Sequence, residues 1–434
     1  MDNQLNLLIE NEKRNIINLR RDFHKYAESG WLEFRTTSKI AEFLENNNIK
    51  ILMGKDIINT DFVMGYPNDF QIETAKKTAI KQGGKLDYIE KANNYTGVVG
   101  ILDTGKKGKT IALRFDIDAN KIEESKAENH RPFKEGFFSV NQDSAHCCGH
   151  DGHMAIGLTC AKILSQMRDK LNGKIIFIFQ PAEEGVRGGK AVVKSGILNG
   201  VDYFLSGHIG FKALNINEIK VGIGGFLATK KMKVSFNGNS AHAGASPEQG
   251  NNAILAAAFA TVAMHTMCQD GRGLARVNVG TFDGGTSSNI VAENAEINME
   301  VRGETQEICQ DVYEKCVKAI EGAAIMFNVK SKIELCGEAI SCESEKSLSD
   351  FTQNIAEKLY PQDKIENTCD FGASEDATFY INEVNQNGGK AEYILFGTEI
   401  AAPHHNNKFD FNEDVLIKGV NIYTNLVLKL NSKD

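Results

Sequence analysis

GHMAIGLTCAKILSQMRDKLNGKIIFIFQ, residues 152–180, carries two periods in succession. Over 152–167 the apolar residues recur at helical spacing, and KIIFIFQ (174–180) is an almost unbroken apolar run of strand length. Just upstream, TGVVGILD (96–103) and KTIALRFDID (109–118) are two further strands, the second apolar nearly throughout. Strands of that kind are buried on both faces. Strand, helix and strand joined by short connections predict a βαβ unit in a largely parallel sheet.

Outward from this unit the same texture extends in both directions. LLIENEKRNIINLRRDFHKYAE and TTSKIAEFLENN predict two N-terminal helices, whereas 53–95 is polar and aperiodic and is taken as a surface insertion. From about Leu227 the pattern changes to strand, helix, two strands, helix and strand, which predicts a small α+β sandwich with one sheet face open. After it the α/β pattern resumes. The expected architecture is therefore α/β: a discontinuous domain of largely parallel sheet (1–226 plus 339–434) with an inserted α+β sandwich domain (227–338).

At 434 residues the chain exceeds what one core usually supports, which agrees with two domains. With 41% hydrophobic and 24% charged residues it has the composition of an ordinary soluble protein. A net charge of −8 spread evenly argues against nucleic acid as a partner. No segment reaches the ~18 apolar residues of a membrane span, and the polar, acidic N-terminus does not look like an export signal, so a cytoplasmic location is expected. Nine cysteines without disulfide-framework spacing are expected to be mostly reduced; Cys160, Cys268, Cys309, Cys316 and Cys342 are taken as packing or surface residues.

Immediately before the helix at 152 stands HCCGHDGH (146–153), and immediately after the strand at 180 stands PAEEG. A thiolate and an imidazole two residues apart, Cys148 and His150, can reach one metal ion because the intervening glycine lets the backbone turn. Glu183 and Glu184 follow a buried strand, where ligands gather in α/β sheets, and adjacent carboxylates on a turn can point to different partners. His208 lies at the end of another apolar strand, His404 and His405 follow the strand YILFG, and Asp116 and Asp118 close RFDID. An acidic pair or a single histidine is ordinarily just solvated or packed. Their shared placement at strand termini is what a dinuclear hydrolase needs.

HCCGHDGH, FQPAEEG, SGHIG, NSAHAGASP, GTSSNIVAENAEINMEVRG, GASEDATFY and PHHNNKFDF, in this order over nearly the whole chain, resemble the amidohydrolase branch of the aminoacylase and carboxypeptidase metallopeptidase superfamily. The resemblance implies two divalent ions, manganese or zinc, held by Cys148, His150, Glu184, His208 and His405. It implies Glu183 as general base and Asp118 as a carboxylate orienting the site from behind. His242 would reach a partner's active site and stabilise the oxyanion, while Asn289 and Arg302 would contact substrate, the latter through a carboxylate. The inserted domain would pair two chains, as a homodimer or as a heteromer with a sister subunit. The implied reaction is hydrolysis of the amide between an acyl or aroyl group and an amino acid, with p-aminobenzoyl-glutamate as the expected substrate and a place in folate catabolism. An N-acyl amino acid or hippurate-type amidohydrolase, or a non-catalytic subunit, are the alternatives; the complete ligand set and Glu183 argue against the last. His146 and His153 are expected to orient neighbours or cap the helix. Where the family has N-V-V-P and D-x-D-A-L-P, this chain has NIVA and DIDAN, so two loop-shaping prolines are missing.

Overall fold

A computed structural model describes residues 3–431. Helix α1 (Asn3–Lys25) buries Leu5, Ile9, Ile16 and Phe23 along one stripe, as its periodicity requires. Helix α2 (Phe34–Asn46) leads to the short strand β1 (Lys50–Met53). The aperiodic insertion then folds into helices α3 (Asp69–Lys81) and α4 (Leu86–Lys91). Only Ile72 and Ala79 of α3 are buried, so no apolar stripe announces it; Asn68 and Gln71 start it with a capping box.

Strands β2 (Val98–Asp103) and β3 (Thr110–Asp116) follow, then helices α5 (Arg131–Lys134) and α6 (His150–Gln166), strand β4 (Lys174–Gln180), helix α7 (Gly189–Val193) and strands β5 (Tyr203–Ile209) and β6 (Glu218–Gly224). Next come β7 (Ala228–Asn237), α8 (Ala253–Met267), β8 (Ala275–Gly284), β9 (Asn294–Gly303), α9 (Gln306–Met326) and β10 (Lys330–Ala339). The chain closes with α10 (Lys346–Leu359), β11 (Lys364–Asp370), α11 (Thr378–Gln386), β12 (Lys390–Phe396) and α12 (Asp414–Leu430). Among the described residues no helix is long and apolar enough to cross a membrane.

Eight strands form one sheet in the order β1-β2-β4-β3-β5-β12-β6-β11. Its middle strands β4, β3, β5 and β12 are parallel. Antiparallel pairs flank them, β1 with β2 and β2 with β4 on one side and β6 with β12 on the other. The middle strands are buried on both faces between two apolar cores, which is why their sequences do not alternate. Strands β6 and β11 lie outside the elements expected from sequence; β6 (EIKVGIG) does alternate, burying Ile219, Val221 and Ile223, whereas β11 (KIENTCD) is half-exposed at the sheet edge and has no apolar run.

The other four strands form a separate antiparallel sheet, β10-β7-β9-β8. Met232, Val234 and Phe236 of β7 and Ile297, Met299 and Val301 of β9 point to one face and pack with α8 and α9. With a period of two, the opposite face receives Lys231, Lys233, Glu296, Glu300 and Arg302. This sheet is joined to the larger one through backbone: Glu338 N–H donates to Val186 O and Leu227 N–H to Ala373 O, each at 2.9 Å. The Glu338 carboxylate also takes both Lys190 and Lys230.

Helix α1 is fastened by charge. Arg20, fully buried, reaches Asp151 at 2.7 Å, Asp410 at 2.9 Å and Glu413 at 3.3 Å, and its guanidinium lies 4.5 Å from the Phe411 ring centre. One side chain thus ties the first helix to the start of α6 and to the loop before α12. Removing one partner of such a network leaves buried charge uncompensated, at about 3–5 kcal/mol. Arg20→Met should lower unfolding stability by that order in urea titration, whereas Lys13→Ala, in an exposed pair with Glu10, should stay within about 0.5 kcal/mol of the parent. A fully stable Arg20→Met protein would show that the guanidinium does not hold this network.

Candidate metal centre

Because β3, β4, β5 and β12 are parallel, their carboxyl ends open on one edge of the sheet. In the observed register Asp116 lies opposite Gln180, and His208 opposite Leu395. The segments that follow β3, β4 and β12 therefore meet over that edge, beside the start of α6. Asp118 fixes two of these elements at once. Its Oδ1 and Oδ2 accept the backbone N–H groups of Glu183 and Glu184 at 3.0 and 2.9 Å, and its carbonyl accepts from Nδ1 of His150 at 2.9 Å.

The Glu183–Glu184 turn needs that grip. Ala182 and Val186 have φ of 53° and 57°, a left-handed conformation that costs a non-glycine residue about 1–3 kcal/mol and persists only where its surroundings dictate it. Glu33 adds a third anchor, its Oε1 accepting the Ala182 N–H at 2.8 Å. On the facing segment Gly149, at φ 92°, lets α6 begin at His150 directly after Cys148.

Among the described residues five groups of possible ligand atoms lie within 4.8 Å of one another; two share Cys148, with His150 and His208 and with Glu184 and His405, and two contain Glu183, with His150 and Glu184 and with Glu375 and Asp376. His150 and His208 donate through Nδ1 to the carbonyls of Asp118 and Ile209, which leaves Nε2 of each ring as the lone-pair nitrogen. His208 Nε2 stands 3.4 Å from Cys148 Sγ, and His150 Nε2 is buried with no hydrogen-bond partner among the described residues. A buried lone pair without a donor, on a ring oriented by a backbone carbonyl, is what a metal ligand looks like.

The fifth group, Asp116, His150 and His153, is close enough to bind an ion. It is braced internally instead: His153 Nδ1 pairs with Asp116 at 2.6 Å and its Nε2 accepts the Ile209 N–H at 2.9 Å. His153 so orients its neighbours, whereas His146, buried with both ring nitrogens unpartnered among the described residues, neither orients a neighbour by hydrogen bond nor caps the helix. Of the histidine pair after β12, His405 Nε2 lies 3.3 Å from Glu184 Oε1, while His404 packs on Phe409 and binds the Ile209 carbonyl through Nε2.

Carboxylates crowd this edge. Burial, together with the charges of Glu375, Glu184 and Asp376, raises the pKa of Glu183 well above the ordinary range; its Oε2 is 4.0 Å from His150 Nε2. Glu184 is driven the other way: burial opposes its charge, but the hydrogen bond from His405 and the charges of His150 and His405 bring it to about 2. The buried Arg114 guanidinium holds Asp116, Glu375 and Asp376 at 2.8, 3.1 and 2.9 Å. Sequence reasoning misses both Arg114 and Glu375 as members of this edge; the signal for the second is the motif GASEDATFY, which contains two of the three acids that Arg114 holds.

The cleft beside these groups has a volume of about 140 Å³, small beside the roughly 300–1,000 Å³ of typical ligand sites. Phe211 and Phe371, stacked at 4.2 Å, form an aromatic wall, and Lys231 and Arg302 enter from the four-stranded sheet. His242 and Asn289 lie elsewhere, exposed at the far end of that sheet and not among the residues that line the cleft. They are neighbours there: Ala243 N–H donates to Asn289 O at 3.0 Å, and His242 Nδ1 accepts from Gly244 and Ala245 N–H, which leaves its Nε2–H facing outward as a donor.

The model of peptidase family M20/M25/M40 matches residues 112–429. The chain is 42% identical over 418 residues to a Haemophilus influenzae homolog of one of the p-aminobenzoyl-glutamate hydrolase subunits, covering 96% of this chain and 98% of that one. It is also 42% identical, over 399 residues, to the indole-3-acetyl-aspartic acid hydrolase of Enterobacter agglomerans, covering 92% and 91%. Among solved structures, an aminobenzoyl-glutamate utilization protein from Klebsiella pneumoniae superposes with a TM-score of 0.85 at 34% identity, over 98% of each chain.

Cys148 contributes to two of the ligand sets, whereas Cys147, its neighbour, packs in the core. Cys148→Ser should therefore lower bound manganese or zinc, measured by elemental analysis after reconstitution, and Cys147→Ser should leave it at the parent level. Equal loss in the two variants would mean the sulfur assignment is wrong.

Proposed function

The chain belongs to peptidase family M20/M25/M40, and on that premise we propose that it hydrolyses the amide bond between an aromatic acyl group and an acidic amino acid, p-aminobenzoyl-glutamate giving p-aminobenzoate and glutamate. The observation that carries this reading is the pair of ligand sets sharing Cys148 beside a buried carboxylate, Glu183, that belongs to neither. The substrate class is supported by the relatives, whose names pair an aromatic acyl group with glutamate in one case and with aspartic acid in the other. Equal identity to the second keeps an arylacetyl-aspartate as an alternative substrate.

In this reading Cys148, His150, Glu184, His208 and His405 hold two divalent ions, manganese or zinc. When bound, these would polarise the amide carbonyl and acidify the attacking water. Glu183 accepts a proton from that water as the new C–O bond forms, and returns it to the nitrogen as the C–N bond breaks. The products are a carboxylic acid and a free amino acid. Its raised pKa suits a group that must hold the proton between the two steps. Asp118, binding both N–H groups of the Glu183–Glu184 turn, keeps the base and the adjacent ligand apart in direction. Arg302 holds the substrate carboxylate, and Phe211 with Phe371 offers a face to the aromatic ring.

The small volume of the cleft and the outward position of His242 support completion of the site by a second chain. His242 Nε2–H would then donate to the developing oxyanion across the interface, beside Asn289. Pairing through the 227–338 block is favoured by α8, whose outer face exposes Leu255, Phe259 and Val262. Either a second copy or a sister subunit would serve.

Two measurements test this. Purified protein reconstituted with Mn²⁺ should turn over p-aminobenzoyl-glutamate or indole-3-acetyl-aspartate faster than acetylated amino acids, and Glu183→Gln should lose at least about 10²-fold in rate with metal content unchanged; a Gln variant that stays active would remove Glu183 as the base. His242→Ala should likewise be inactive with metal retained, by about 10²-fold, and mixing it with Glu183→Gln subunits should restore activity in the hybrid. A mixture that stays inactive after verified subunit exchange would place His242 outside the partner's chemistry.

A further inference from the structure

The amino acid leaves as a free amine, so the protein must recognise it through groups other than the bond that breaks. The four-stranded sheet supplies two permanent cations to the cleft, Lys231 on β7 and Arg302 on β9. Lys231 is paired across the strands with Glu300, and Arg302 follows two residues later on the same face. The cations are thus diagonal neighbours, about 7–8 Å apart at the backbone. Arg302 is already oriented: Nε and one Nη donate to the two oxygens of Glu300 at 2.8 and 3.1 Å. That occupies one edge of the guanidinium and leaves Nη1 on the other. Lys231 stands 3.9 Å from Glu300, beyond hydrogen-bond reach. On this face of the sheet the two cations share one carboxylate, so Lys231 has no hydrogen-bonded acid of its own there, while the other acids lining the cleft, Glu183, Glu184 and Glu375, belong to the opposite, ligand-bearing wall. The next lysine on this face, Lys233, is 2.7 Å from Glu296 and does not line the cleft.

Resting on the amidohydrolase reading, we infer that Lys231 and Arg302 form a dicarboxylate subsite that selects amides of acidic amino acids. Arg302 takes the α-carboxylate through its Nη1 edge. Lys231 takes the side-chain carboxylate. Glu300 orients Arg302 and loosely holds Lys231 while the subsite is empty. A neutral leaving group would strand the Lys231 ammonium opposite an apolar or amide group, and a site built to pair a charge discriminates against the ligand that lacks one.

The test compares p-aminobenzoyl-glutamate with p-aminobenzoyl-glutamine, nearly equal in shape and different in side-chain charge. The parent should prefer the glutamate conjugate in kcat/KM, Lys231→Met should reduce that preference at least about tenfold, the worth of one charge-assisted hydrogen bond, chiefly through KM, and Lys231→Arg should keep most of it. Calorimetric titration of free L-glutamate and L-glutamine into the manganese-loaded protein reads the subsite without turnover: glutamate should bind more tightly to the parent, and Lys231→Met should erase the difference. An unchanged preference in Lys231→Met, or a parent that binds the two amino acids equally, overturns the subsite. If the parent cleaves neither conjugate, the substrate reading fails by itself, and the glutamate titration still decides whether Lys231 reads a carboxylate.

Discussion

One buried carboxylate organises the carboxyl-end edge of the large sheet. Asp118 accepts two successive backbone N–H groups with its side chain and one imidazole N–H with its carbonyl, so the turn after β4 and the start of α6 are set by a single residue at the end of β3. Together with Glu33, which takes the Ala182 N–H, and the Glu338 N–H, which donates to Val186 O, those acceptors hold the left-handed backbone at Ala182 and Val186. The directions of Glu183 and Glu184, and the orientation of the buried His150 Nε2 lone pair, follow from that arrangement.

The same edge gathers more negative charge than its protein cations neutralise. Asp116, Glu375 and Asp376 share Arg114, and Glu183 sits beside them with a raised pKa. On the ligand side, hydrogen bonds to Cys148 and Glu184 raise His405 to about 10, and burial and Glu184 raise the Cys148 thiol. Protons balance the charge of the bare protein at positions where divalent cations would balance it instead. That is the electrostatic sense in which the donor set fits a metal centre.

The cations that line the cleft belong to a different element. The four-stranded sheet is apolar on the face that packs against α8 and α9 and charged on the face that carries Lys231, Glu300 and Arg302. Its attachment is specific: Glu338 of β10 bonds to Val186, on the same strained turn that carries Glu183 and Glu184. That hydrogen bond joins the four-stranded sheet by backbone to the segment that carries Glu183 and Glu184.

The sheet's parallel middle, and the gathering of Cys148, His150, Glu184 and His208 at one of its edges, are readable from local pattern. Apolar runs such as KIIFIFQ are readable because burial on both faces demands them, and the acids of PAEEG follow a strand end while the glycine of HCCGHDGH opens the helix that the βαβ pattern predicts. The polar strand β11 and helix α3 lay beyond it, since neither buries a periodic stripe. Whatever depends on distant partners was decided only by tertiary structure. Arg20 meets Asp151 and Glu413 from 131 and 393 residues away, and Arg114 meets Asp376 from 262. Two adjacent histidines, chemically identical in sequence, part company because His405 adopts a φ of 65° that turns it to Glu184 while His404 packs inward. Lys231 gains its significance from a cross-strand register with Glu300. Local pattern reports burial and period, whereas the direction of a side chain and the charge it faces are set by segments that only folding brings into contact.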